Sequence, residues 1–129
     1  MSITITSVAA ALIGLLYIWL STRVVALRIS KRVSVGDGDD KALLYRMRAH
    51  ANCAEYAPIS LLLLLLVELS GTPQGVTVAL AALIVLGRLL HAYAFIRRPM
   101  NFLARRAGML MTFAAIAISA IGLIGHALL

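Results

Sequence analysis

Acid is what this chain lacks. Five Asp and Glu stand against twelve Lys and Arg in 129 residues, so pairing within the chain cannot neutralise its cations. Cysteine is nearly absent as well. Cys53 stands alone, which excludes an internal disulfide and a cysteine-cluster metal site and leaves it as a small packing residue. The three histidines, His50, His91 and His126, are scattered without close carboxylate spacing, and no metal site is expected. Long polar stretches are missing too. At 62% hydrophobic residues and a mean hydropathy of +0.97, an ordinary soluble protein is excluded.

What is there is apolar and periodic. Four runs, roughly 3–20, 54–69, 76–95 and 107–129, each approach the roughly 20 residues that cross a bilayer as a helix. The second is long enough only if its polar start, from about Leu43, belongs to the same helix. The expected fold is an all-α integral membrane protein, a four-helix transmembrane bundle forming a single domain over residues 1–129 with no attached soluble domain. The first run has no basic residue before it and no clean small-residue cleavage site after it, so it is read as a retained helix rather than a signal peptide.

The connections follow from turn chemistry. Residues 35–40, with Gly36, Gly38, Asp39 and Asp40, break the chain after helix one, and Asp39 or Asp40 is expected to cap helix two. Pro58 falls inside helix two and should free the Ala54 carbonyl and kink the helix. Helix three should end near 97–99 and helix four begin near 104–107. In helix four Gly108, Ser119, Gly122 and Gly125 are small enough for close helix contact.

The net charge of +7 would suggest nucleic acid on a soluble chain. Here eleven of the twelve cations lie in 23–48 and 97–106, with Arg88 nearest the second stretch. By the positive-inside rule both basic loops are expected in the cytoplasm and both termini outside, with no nucleic-acid partner. In a bacterium that places the protein in the inner membrane.

Polar groups inside the runs mark a site. Charge at membrane depth costs on the order of 2.5–3.5 kcal/mol per residue on insertion scales unless it is paired or faces water. On helix two Arg48, Asn52 and Glu55 fall at i, i+4 and i+7, within about 60° of one another, so both charged residues are expected to reach Asn52. Arg46 and His50 point to another side and should meet a different neighbour. On helix three Arg88, His91 and Phe95 share a stripe, and Glu55 is the expected carboxylate partner of Arg88. Glu55 can balance only one of Arg46, Arg48 and Arg88, so the surplus calls for an anion from outside the chain. Glu68, near the outer end of helix two, is expected to reach lipid headgroups with no further role.

The segment Arg46-Met47-Arg48-Ala49-His50-Ala51-Asn52-Cys53-Ala54-Glu55-Tyr56-Ala57-Pro58 resembles the Arg-x-His-x-Asn-x-x-Glu-x-x-Pro signature of the MAPEG family, the membrane-associated proteins of eicosanoid and glutathione metabolism. Gly87-Arg88-Leu89-Leu90-His91-Ala92-Tyr93-Ala94-Phe95 resembles that family's third-helix motif. Val35-Gly36-Asp37-Gly38 and Arg105-Arg106-Ala107-Gly108-Met109 resemble its small bacterial members. The resemblance implies a homotrimer with glutathione between subunits near the cytoplasmic face. It implies that Arg48, Asn52 and Glu55 bind glutathione, with Arg88 and His91 supporting and Arg28 as the first-helix candidate. Arg105 or Arg106, at the start of helix four, would stabilise the thiolate for attack on a lipid-soluble electrophile or hydroperoxide. Phe95 stands where several members have a tyrosine, so no hydroxyl can donate there. The alternative is a non-catalytic member of the same fold that binds or presents membrane lipid. A transporter or channel has less support, because no inverted repeat is visible.

Overall fold

Without water to satisfy them, backbone amides inside a bilayer must bond within their own segment, so apolar runs of this length become helices. The computed structural model describes residues 3–128; the outermost ends of the expected domain, residues 1, 2 and 129, lie outside them. The helices are α1 (Thr4–Lys31), α2 (Lys41–Leu69), α3 (Gln74–Ile96) and α4 (Phe102–Leu128). All four are long and apolar enough to cross a membrane, and the described residues contain no strand. The protein is an integral, multi-pass four-helix bundle.

Each helix end has a local cause. α1 closes with Arg32 in the left-handed region at φ 55°, which lets the Val33 N–H reach the Arg28 carbonyl at 3.0 Å and the Arg32 N–H reach that of Ile29 at 3.3 Å. A non-glycine residue there costs about 1–2 kcal/mol, offset by two helix-end carbonyls gaining donors. Gly36 and Gly38 supply positive φ in the turn that follows. Of the two expected caps, Asp40 is the one used: its carboxylate accepts from the Leu43 N–H at 2.9 Å and pairs with Lys31 at 3.0 Å. These contacts, the Leu43 N–H foremost and then the Lys31 ammonium, hold the Asp40 carboxyl below its ordinary range. α2 continues through Pro58. α4 begins at Phe102, slightly ahead of expectation, because the Asn101 side chain accepts from the Ala104 N–H at 3.0 Å and caps it.

Glu68 corrects the sequence reading. Its carboxylate does not simply face headgroups; it accepts from the N–H groups of Ile5 at 3.0 Å and Thr6 at 2.8 Å. α1 has no side-chain cap of its own, and its first N–H groups carry the positive end of the helix dipole. A carboxylate from the end of α2 supplies what α1 lacks.

α3 and α4 approach most closely. A Cβ placed on Gly108 would lie 2.6 Å from the Gly87 carbonyl oxygen and 2.7 Å from the His91 nitrogen, so here two backbones touch. Ser119 is buried. Gly122 and Gly125 meet nothing within 4 Å in the subunit. α1 packs on α2 and α3 and, among the described residues, not on α4. One apolar core, including Leu16, Leu20, Ala49, Cys53, Ala92 and Phe95, lies toward the end carrying the α1–α2 and α3–α4 connections. A second, including Leu64, Leu80, Ile84 and Ala115, fills the opposite half.

Candidate functional site

Arg88 is 2% exposed, a guanidinium in the middle of the bundle. Unpaired, it would be prohibitively expensive there, and its surroundings show how the cost is met. Its Nε–H donates to Thr112 Oγ1 at 3.0 Å, one terminal nitrogen donates to Asn52 Oδ1, and the other reaches Met109 Sδ at 3.3 Å. The Tyr56 ring lies 5.7 Å away, within cation–π range. Thr112 is itself held by donating to the Gly108 carbonyl at 2.9 Å. One side chain of α3 thereby ties α2 and α4 together through neutral acceptors.

The expected Glu55–Arg88 ion pair is not made. Lys31–Asp40 is the ion pair present among the described residues. Asn52 gives its carbonyl oxygen to Arg88, and the expected Arg48–Asn52–Glu55 hydrogen bonds are not made among the described residues. The reason is rotational. Ala49, Cys53 and Ala57 face the core, Asn52 and Tyr56 lie on the rim, and Arg48 and Glu55 fall on the exposed edge. Both charges therefore sit on an open edge of a membrane-spanning helix, and neither makes a hydrogen bond or ion pair among the described residues.

His91 and Phe95 complete the α3 stripe, both buried, with ring centroids 5.1 Å apart. At the first turn of α4 the Arg105 guanidinium lies 5.2 Å from the Phe95 ring centroid. Arg106 is exposed and makes no hydrogen bond or ion pair among the described residues. Of the two candidates, the structure brings Arg105 to the α3 stripe. Arg28 is occupied locally: it donates to the Gly36 carbonyl at 2.8 Å and reaches Met47 Sδ at 3.4 Å, fastening the α1–α2 turn to α2.

The second polar face of α2 does meet a different neighbour. Arg46 donates to the Arg23 carbonyl at 2.7 Å, and the His50 ring lies 4.8 Å from that of Tyr17, both on α1. Sequence reasoning missed Thr112 and Met109 as partners of Arg88. Their only signal was position: both lie on α4 within about one turn of Gly108, where that helix comes closest to α3.

The comparisons fit this arrangement. The sequence profile of the MAPEG family matches residues 6–125. The chain is 35% identical over 112 residues to the inner membrane protein YecN of Escherichia coli strain K12, covering 87% of this chain and 84% of that protein. The same protein from Escherichia coli O6:H1 strain CFT073 matches equally. No solved structure matches significantly. With the helix-two and helix-three motifs set on facing sides of one buried arginine network, and the profile covering all four helices, the chain belongs to the MAPEG family.

Proposed function

We propose that this protein is a glutathione-dependent membrane transferase or peroxidase acting on hydrophobic electrophiles, working as a homotrimer with glutathione held between subunits. One observation carries the reading: Arg48 and Glu55, of opposite sign, lie exposed and unpaired on one edge of a membrane-spanning helix. Groups so placed call for polar partners from outside the subunit. Glutathione has two carboxylates and one ammonium, which suit a guanidinium bidentately and a carboxylate respectively. Asn52, held by Arg88, sits between them in sequence with its amide N–H groups free for a ligand. Arg88 then acts as a positioning residue, and His91 shapes the wall beside it.

The chemistry asked of the protein is small. A guanidinium beside the thiol favours its ionised form, and Arg105 is the better placed of the two α4 candidates. The thiolate donates its electron pair to an electrophilic carbon, a C–S bond forms, and the leaving group departs with its own pair. The thiol proton goes to solvent at the membrane face. The connections bearing most of the cations would face the cytoplasm, by the positive-inside rule, and in a bacterium the membrane would be the inner one.

Phe95 supports a second reading. Its ring contacts His91, Tyr45 and Arg105 and offers no hydroxyl, which suits a non-catalytic member that binds or presents lipid. A conjugation assay with glutathione and a generic aryl halide, on protein in liposomes, separates the two. Turnover that falls by an order of magnitude or more in Arg105→Gln, with glutathione binding retained, supports the transferase. Glutathione binding without turnover on aryl halides or hydroperoxides selects the second reading, and absence of binding in calorimetry overturns the proposal.

A further inference from the structure

The surplus of positive charge is not spent at the Arg48–Glu55 edge alone. Arg46 is two residues from Arg48, about 200° around the helix, and joins a separate group at the junction of α1, α2 and α3. Arg23, Arg46 and Arg98 meet there: Arg46 is bonded to the Arg23 carbonyl, and Arg98 lies over the ring of Tyr45, the residue before Arg46. Their partners are neutral. Arg46 holds the Arg23 carbonyl at 2.7 Å, Arg98 holds the Phe95 carbonyl at 2.9 Å, and Arg23 and Arg98 lie 4.8 Å from the ring centroids of Trp19 and Tyr45. None of the three is ion-paired among the described residues. Three guanidiniums gathered without a carboxylate leave a local charge that an anion would relieve.

The shape below them identifies the anion. A narrow cleft lined by Arg23 and Arg46 has Ala92 and Ile96 among its walls. The same two residues open an apolar groove along the α1–α3 seam, lined further by Leu12, Leu15, Trp19 and Leu89. From Leu20 to Leu12 is about 12 Å at 1.5 Å per residue, close to the roughly 15 Å depth of one hydrocarbon leaflet. A cationic mouth thus continues into a trough of acyl-chain length. We infer that the α1–α3 seam binds an anionic phospholipid, its phosphate on Arg23, Arg46 and Arg98 and one acyl chain along the groove.

A second copy of the chain is the poorer occupant, since it carries a net charge of +7 itself and cannot neutralise the mouth. Inorganic phosphate would satisfy the arginines and leave the groove unused. The lipid satisfies both. This site is independent of glutathione binding, because it uses none of Arg48, Asn52, Glu55 or Arg105.

The test is native mass spectrometry of the whole protein in mixed micelles holding equal phosphatidylglycerol and phosphatidylcholine. Phosphatidylglycerol should be retained preferentially, and excess inorganic phosphate should not displace it. Arg46→Gln and Arg98→Gln should each cut that preference about fivefold, the size expected of one arginine at an anionic surface. Arg98 is exposed in the α3–α4 connection, so its replacement reads binding without threatening the bundle. Lys41→Gln, an exposed cation outside the cluster, should change the preference less than about twofold. Leu12→Trp should reduce retention of phosphatidylglycerol by filling the groove. Equal retention of both lipids, displacement by inorganic phosphate, or an unchanged preference in Arg98→Gln overturns the inference.

Discussion

Two of the seams that α3 makes are opposites. Against α4 it presents Gly87 and Arg88, and the backbones touch at Gly108 with Thr112 bonded across the contact. Toward α1, at the same depth and above, it presents Leu86, Leu89 and Tyr93, all substantially exposed. In water the second seam would be the stronger, because large apolar side chains drive association there. In lipid the ranking reverses: acyl chains solvate leucine as well as another helix does, so close packing of small residues and interhelical hydrogen bonds supply the association. The α3–α4 seam is built to hold, and the α1–α3 seam leaves room for lipid.

Substitutions can break that contrast, and their expected sizes rank it. Gly108→Val should be the most damaging, by about 3 kcal/mol, because its new atoms meet backbone that cannot rotate away. Reversible unfolding in detergent, followed by circular dichroism, measures it; a loss below 1 kcal/mol would show that the seam is looser than described. Arg88→Met comes next at about 2 kcal/mol, since Asn52 and Thr112 each lose a buried donor while the arginine's own desolvation is relieved. Its signature is specific: glutathione affinity should fall along with stability if Asn52 is positioned through Arg88. Thr112→Val should cost about 1 kcal/mol, the price of one hydrogen bond to a charged group partly offset by apolar burial. Glu68→Gln, at the opposite end of the bundle from Gly108, should also cost about 1 kcal/mol, since one amide oxygen replaces two carboxylate oxygens and the full charge at the start of α1 is lost. Leu15→Ala sharpens the comparison from the other side. The residue is 71% exposed on the α1–α3 face, and its loss should change stability by less than about 0.5 kcal/mol.

Legibility followed the range of the interaction. A cap for α2 at Asp39 or Asp40 and the break at Gly36–Gly38 are local events, and they were readable within a few residues. The two polar faces of α2 were readable as well, because helical periodicity fixes direction around one axis. Their partners were not. Glu55 looked like the natural counter-ion for Arg88 on charge alone, yet Asn52 and Thr112 took the arginine, because a three-residue step along α2 turns Glu55 outward. Glu68 looked idle because its contact, the start of α1, lies more than sixty residues away in sequence.

The sequence by itself determined the four spans, the breaks between them and the gathering of positive charge at two connections. Bilayer solvation acts on each segment independently and needs no knowledge of neighbours. Only the tertiary structure decided which cation spends itself inside the bundle, which carboxylate caps another helix, and which arginines converge above an open groove. Those outcomes depend on the rotation of each helix against the next, where a fraction of a turn exchanges a buried partner for an exposed one.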